Sequence, residues 1–357
     1  MGQVTGGRLS AKTRMKYRFS RPYGYLEPAV TVRSLSYNLE RGREGRGLSV
    51  LVPTYSLDSG LFAERQATVF GYPFTHTLEP RARYVYTPYR AEQNNNPLFD
   101  TSESLFSYAS LWRDDRFSGS DRVGDTHHLS LGLSSRILGS AGSEYLRASV
   151  GQMLFFEDRR VQAGPPVVGG VSYDEQTSPV AAQLSWKVMK NLRLSQDWIY
   201  NTHDRDQKRG ASEAYSTTLQ YRPDSDRVFN VSHRFRQQPD RIKKDGQGVS
   251  TGRLVSGDIE QTDVSAVWPV YRGWKMFARW NYDHTNKRRL DRALGLERDG
   301  CCYRIRLIYR RWIDLQEDVD LARASNDFFL QLTLKGLGGM GRSAHPLLSQ
   351  ISGYDDH

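Results

Sequence analysis

Tyr303-Arg304-Ile305-Arg306-Leu307-Ile308-Tyr309-Arg310 is the stretch on which the fold turns. Tyr303, Ile305, Leu307 and Tyr309 alternate with Arg304, Arg306 and Arg310. Successive side chains of a β-strand point to opposite faces, so a strand here gathers the arginines on one side and the apolar groups on the other. A wet, charged face backed by an apolar one is what the wall of a membrane-spanning β-barrel requires. A basic, aromatic surface for nucleic acid is the other use of such residues, but arginines on one face and apolar groups on the other favour the wall.

The period of two recurs outward from that stretch. It runs through Leu129-Ser130-Leu131-Gly132-Leu133 and through Val180, Ala182, Leu184, Trp186 and Val188. Leu192, Leu194, Trp198 and Tyr200 repeat it, as do Trp274, Met276, Ala278, Trp280 and Tyr282, then Phe328, Leu330, Leu332 and Leu334. Between the runs lie turn signals such as Lys190-Asn191, Arg222-Pro223-Asp224-Ser225-Asp226 and Arg272-Gly273. Long polar connections are expected over 90–125, 157–177, 238–257 and 286–299, and an acidic loop over 314–324. Short turns at one end and long loops at the other suit an outer-membrane barrel. Aromatics near strand ends suit interfacial girdles: Tyr84, Tyr86, Tyr89, Phe155, Phe156, Trp198 and Tyr200. The expected fold is an all-β, antiparallel transmembrane β-barrel, or part of one, with about 14 strands over residues 1–341 and a C-terminal tail over 342–357. Gly336-Leu337-Gly338-Gly339-Met340-Gly341 reads as flexible chain rather than a nucleotide cradle, because no Lys-Ser/Thr follows it. A large soluble β-sandwich or propeller would share the period, although no fixed-length repeat is present.

Composition narrows the partners. Among 357 residues, 50 Lys and Arg face 40 Asp and Glu, a formal charge of +10 that suits a phosphate-bearing ligand. No apolar run is long enough for a transmembrane helix. The mean hydropathy of −0.64 remains compatible with barrel strands, which expose only alternate residues to lipid. The two cysteines, Cys301 and Cys302, are adjacent, a spacing that suits neither a mutual disulfide nor a zinc site. Catalytic signals are poor: no Gly-x-Ser-x-Gly elbow is present. Nothing assigns Asp114 and Asp115 as an acid and a base, and His127 and His128 are expected to face water at the start of a strand. No enzyme, metal or cofactor is expected. Met1 to Gly7 lacks the apolar core of a secretory signal, so an exported barrel starting here is expected to be a piece of a longer protein.

Three strings carry a more specific likeness. They are Leu78-Glu79-Pro80-Arg81-Ala82-Arg83-Tyr84-Val85-Tyr86-Thr87-Pro88-Tyr89-Arg90 with Asn96-Pro97-Leu98-Phe99-Asp100; Arg116-Phe117-Ser118-Gly119-Ser120-Asp121-Arg122-Val123-Gly124-Asp125 with Leu129 to Arg136; and Ser149-Val150-Gly151-Gln152 with Phe155-Phe156-Glu157-Asp158-Arg159-Arg160. Cys301-Cys302-Tyr303-Arg304-Ile305-Arg306-Leu307 and Phe328 to Gly338 extend it. In this order they resemble the LptD family of lipopolysaccharide-assembly outer-membrane proteins over about residues 20–340.

That resemblance implies a large barrel that inserts lipopolysaccharide into the outer leaflet of a Gram-negative outer membrane. It implies an LptE-like plug lipoprotein, a periplasmic bridge that delivers the lipid, and a gate between the first and last strands. Cys301 and Cys302 match the family's paired cysteines, which implies disulfides to cysteines outside this chain. The family's N-terminal jellyroll and first barrel strands have no counterpart here, so the chain by itself is not expected to transport. Strand parity assigns Arg81, Arg83, Arg193, Arg279, Arg304, Arg306 and Arg310 to the lumen as contacts for cargo phosphates and sugars. A generic porin or receptor barrel, and a soluble β-rich protein for an anionic partner, are the alternatives.

Overall fold

The computed structural model describes residues 5–41, 48–69, 71–139, 142–163, 173–202, 212–238, 241–244, 250–313, 324–341 and 345–354. The chain divides into two compact units, one of residues 1–184 with 197–213, the other of 185–196 with 214–357.

The first unit contains β1 (Thr5–Lys16), β2 (Phe19–Arg21), β3 (Gly24–Arg41), β4 (Leu48–Leu61), β5 (Ala63–Val69), β6 (Tyr72–Thr87), β7 (Ser102–Glu103), β8 (Phe117–Ser118), β9 (Thr126–Gly139) and β10 (Glu144–Phe155). Strands β11 (Val180–Met189) and β12 (Leu192–Tyr200) fall partly in each unit. The second unit contains most of β13 (Ser212–Tyr221), then β14 (Val228–Arg236), β15 (Arg241–Lys244), β16 (Ser250–Val255), β17 (Ile259–Tyr271), β18 (Trp274–Asp283), β19 (Arg288–Asp299), β20 (Tyr303–Ile313), β21 (Ala324–Leu334), β22 (Gly338–Gly341) and the one-turn helix α1 (His345–Leu348).

The fold is all-β and antiparallel as expected, with 18 strands in one sheet. Strand β2 continues β1 along β3, and β5 continues β4 along β6, so two passes are broken by a bend. The count exceeds the expected 14 because segments as short as β2 and β22 are too brief to show a period. Most of the 286–299 stretch, expected as a loop, is instead strand β19, Arg288–Asp299, paired on both sides. Its charges had masked the alternation of Arg292, Leu294 and Leu296. Gly338–Gly341, expected as flexible chain, pairs with β21 as β22. The expected acidic loop over 314–324 lies outside the described residues except for Ala324.

Each unit has one apolar, exposed face and one polar, covered face, here called outer and inner. On β1, Leu9 and Met15 are exposed outward while Arg8 and Arg14 turn inward to ion pairs. On β9, Leu131 and Leu133 face out and Ser130 is buried. On β20, Ile305, Leu307 and Tyr309 face out while Arg306 is buried. Turn chemistry follows the same economy. Arg272 and Gly273 both adopt positive φ, 28° and 82°, between β17 and β18. A two-residue turn with both φ values positive matches the twist of the strands it joins.

What covers the inner face was not legible from periodicity. In the first unit it is the 88–125 connection, which carries two 3-10 turns, Ala91–Asn95 and Tyr108–Trp112. Gly132 and Gly151 are register partners on β9 and β10. A Cβ at Gly132 would come within 2.5 Å of the Trp112 ring, and one at Gly151 within 2.6 Å of the Leu111 side chain. Only a side-chain-free floor admits Leu111 and Trp112 this closely. In the second unit the tail does the covering. Leu347, Leu348 and Ile351 pack against Val267, Phe277, Ile308 and Phe329.

Candidate functional site

The inner face of the first unit forms a highly charged concavity. Strand β1 carries a cation at every second position from Lys12 to Lys16, and β3 and β6 add arginines at inward positions. Lys12, Arg14 and Lys16 come from β1 and Arg18 from the bend after it. Arg33, Arg81, Arg83 and Arg113 join them around a cavity of about 470 Å³. Four carboxylates, Glu27, Asp58, Asp114 and Asp115, face these eight cations. The wall therefore holds a formal surplus of positive charge.

The carboxylates order the cations. Asp58 lies across from Arg83 in the β4–β6 register. It accepts hydrogen bonds from Arg83 at 2.7 Å, from Arg81 Nε at 3.0 Å and from the Tyr25 hydroxyl at 2.9 Å. Arg83 also pairs with Asp114, and Arg33 with Asp115, both from the covering loop. Arg14 reaches Asp114 at 3.0 Å. The Arg81 guanidinium stacks over Trp112 at 4.1 Å. Among the described residues, Lys12 and Arg113 have no ion pair.

The loop itself is pinned by Asp121. Its Oδ1 accepts from Arg8 at 2.6 Å and from the Tyr37 hydroxyl at 2.9 Å. Its Oδ2 accepts the backbone N–H groups of Phe99, Asp100 and Thr101. Burial pushes the Asp121 carboxyl up, but the Asp100 N–H, Arg8, the Phe99 N–H and Tyr37 outweigh it and hold the group far below the usual carboxylate range. Arg8 and the Ser120 N–H likewise lower Asp100. Next to this loop, burial and the neighbouring Arg116 bring the Arg159 guanidinium down to about 10.

The structure places the other parity-assigned arginines on the second unit. Arg306 faces Glu297 across β19–β20 and bonds to it at 2.5 Å. Arg304 pairs with Asp299 at 3.2 Å, and Arg310 with Asp291 at 2.7 Å. Arg279 joins Asp263 at 2.9 Å and Asp291 at 3.2 Å, and also meets Gln350 of the tail. Arg193 donates to the Ser185 hydroxyl at 2.7 Å. Arg81 and Arg83 are thus brought into one cavity, whereas Arg279, Arg304, Arg306 and Arg310 form a separate ladder.

Two sequence expectations are corrected here. His128 is not at water but buried, bonded to Thr126 at 2.7 Å. Phe155 is not an exposed girdle residue but buried, with Arg159 lying 3.6 Å over its ring. Both sit at inward parity beneath connections whose course the period cannot show. Lys12, Arg14, Lys16, Arg18 and Arg33 are not among the expected lumen residues, although β1 places a cation at every second position from Lys12 to Lys16. Cys301 and Cys302 are exposed free thiols in the short β19–β20 connection. Among the described residues, no three His, Cys, Asp or Glu side chains gather as a metal would require.

Comparison with known proteins accords with this geometry. The LptD family, described as LPS transport system D, matches residues 1–274. LPS-assembly protein LptD of Pseudomonas aeruginosa (strain UCBPP-PA14) is 35% identical over 99% of the chain. The LPS-assembly protein LptD of Ectopseudomonas mendocina (strain ymp) is 38% identical over 88% of it. The chain spans 41% and 35% of those two relatives' lengths. Among solved structures, the siderophore receptor PirA from Acinetobacter baumannii aligns over 92% of this chain and 56% of its own, at a TM-score of 0.42 and 7% identity, too remote to carry an argument. The sequence match over most of the chain makes the assignment: the chain belongs to the LptD family.

Proposed function

We propose that the chain forms part of an outer-membrane β-barrel that assembles lipopolysaccharide into the outer leaflet. The observation that carries this reading is the inner cavity of the first unit, where eight cations meet four carboxylates beneath an apolar, exposed outer face. Lipopolysaccharide presents phosphates and sugars on an acyl body. Arginine forks and lysine ammonium groups bind phosphate by charge-assisted hydrogen bonds. The cargo meets Lys12 and Arg113 first, because those cations have no carboxylate to displace among the described residues. Arg33 and Arg83 follow once Asp115 and Asp114 withdraw with the loop, which also lifts Trp112 off the Arg81 guanidinium. Arg193, Arg279, Arg304, Arg306 and Arg310 line the second unit as later contacts.

In this reading no bond is made or broken; the chain supplies a polar surface, and energy comes from the rest of the transport system. A periplasmic bridge delivers the lipid, and an LptE-like lipoprotein plugs the completed barrel. Cys301 and Cys302 lock the wall to a periplasmic domain through disulfides to cysteines outside this chain.

The test uses cells that make this protein, with a photo-crosslinking residue at Lys12 or, on the opposite face of the same strand, at Met15. A lipopolysaccharide adduct at position 12 that exceeds the one at position 15 is expected. Lys12→Glu with Arg113→Glu should also raise outer-membrane permeability to large antibiotics. Equal adducts at both positions would remove the cavity from the transport path.

A further inference from the structure

At the end of the second unit remote from the cysteine pair, the outer face changes character. Arg292 lies directly opposite Arg311 across β19–β20, and opposite Trp280 across β18–β19. Arg289 lies opposite Tyr282. Lys287 sits in the turn leading into β19. All four cations line one open depression of about 390 Å³ together with Tyr282. Like charges at facing positions of a sheet repel. Yet among the described residues none of the four has a carboxylate or hydrogen-bond partner. The inner-face arginines of the same strands are paired, Arg306 with Glu297 and Arg310 with Asp291. On β19 and β20, carboxylate pairing is confined to the inner face.

Between these cations and Arg298 at the far end, the outer face is apolar. Leu294, Leu296, Ile305, Leu307 and Tyr309 are exposed along the same strands. From Ile305 to Arg311 the strand advances about 20 Å at roughly 3.3 Å per residue. Trp280 and Tyr282 stack at 5.6 Å beside Arg292 and Arg289. Amphipathic rings of this kind sit where lipid meets water. The cations therefore cap an apolar band at the level of lipid head groups.

We propose that this depression binds the phosphate-bearing head group of a lipid lying against the wall, with its acyl chains on Leu294, Leu296, Ile305 and Leu307. Charge complementarity selects an anion, and the paired guanidinium forks of Arg292 and Arg311 select phosphate. A head group with two phosphates engages all four cations. The site lies on the face opposite the inner arginines, so it stands or falls independently of the transport reading.

The test titrates the purified protein, in neutral detergent, with dioleoyl phosphatidic acid or dioleoyl phosphatidylcholine and counts bound lipid by native mass spectrometry. Phosphatidic acid should be retained in preference to phosphatidylcholine. Arg292→Gln with Arg311→Gln should weaken its retention about 30-fold. Arg298→Gln, at the other end of the same face, should leave retention unchanged. If the double variant does not fold, Arg311→Gln alone carries the test with about a fivefold loss. Equal retention by wild type and the variant overturns the proposal. Full displacement by an equal concentration of inorganic phosphate overturns it too, because the site would then read a free anion and not a lipid.

Discussion

Arg8 and Asp121 are 113 residues apart in sequence and 2.6 Å apart in space. Arg8 belongs to β1, and Asp121 to the loop that lies over the inner face. The Asp121 side chain is fully buried, and five donors converge on it. One carboxylate therefore ties β1, β3 and both arms of the loop together. Removing one member of a buried ion pair leaves the other uncompensated, at a cost of about 3–5 kcal/mol. Asp121→Ala should free the loop, and limited trypsin digestion should cut at Arg113 and Arg122 about a hundredfold faster or more. Asp224→Ala, in an exposed turn, should leave those cuts as they were. Unchanged cleavage in Asp121→Ala would sink the idea of a pin.

The same carboxylate sets the pH dependence. Its folded-state pKa is depressed, so the stability it contributes is complete above its unfolded value of about 4 and is lost as pH falls through the folded value. Asp100, also depressed, acts in the same window. Hydrogen exchange at the amides of Phe99, Asp100 and Thr101 should stay slow from neutral pH down to about 4, then accelerate below it. Loss of protection between pH 7 and 5 would assign the loop's hold to other groups.

The wall was legible in the sequence because its rule is local. Tyr303 to Arg310 states the rule in eight residues, and Arg304, Arg306 and Arg310 do turn to the face opposite Ile305 and Leu307. Strand β19 escaped because Arg288, Arg289, Asp291 and Arg292 crowd its start and hide the alternation. The inner cover escaped for a deeper reason. A period of two says which way a strand side chain points, but nothing about which distant loop comes to rest on it. Asp114, Asp115 and Asp121 lie in a stretch that reads as a polar connection, yet each meets an arginine from β1, β3 or β6. A clue was present, since strings as specific as Asn96 to Asp100 and Arg116 to Asp125 are unusual in a loop that need only connect.

Gly151 tests the fit between loop and wall. Its absent side chain makes room for Leu111, which is fully buried. A Cβ there would also press on the Leu131 carbonyl at 2.6 Å, a backbone atom that cannot swing aside. Gly151→Ala should therefore lift the Tyr108–Trp112 turn and lower the thermal midpoint, with overpacking costing about 1–3 kcal/mol. Gly7→Ala meets no atom within 4 Å and is the matched control. Equal midpoints for the two variants would mean that the loop does not bear on β10.

Cys301 and Cys302 are exposed, and their sulfurs lie 2.9 Å apart as thiols. If both are joined to cysteines beyond this chain, membranes from cells should give a band on a non-reducing gel that shifts on reduction. Cys301→Ser with Cys302→Ser should abolish the shift. In contrast, thiols that stay free in the cell would react with maleimide in intact envelopes, and the proposed lock would fail.

The C-terminal tail supplies the last test, because its docking answers a fault in the inner face of the second unit. Val267, Phe277, Ile308 and Phe329 are apolar at inward positions where polar groups would otherwise be expected. Left open, they would expose an apolar patch on the polar side of the wall. Leu347, Leu348 and Ile351 cover them, while Gln220 and Asn230 donate to the Ser352 carbonyl at 3.0 and 2.9 Å and fix the chain's course. Leu348→Ala should cost about 2–5 kcal/mol in denaturant unfolding, as buried leucine deletions do. Leu337→Ala, on the highly exposed β21–β22 turn, should cost almost nothing. Removing the residues after 344 should in addition expose the patch to a hydrophobic dye. Equal unfolding midpoints for the two leucine variants, with no added dye binding in the truncated protein, would mean that the tail rests on the wall without stabilising it.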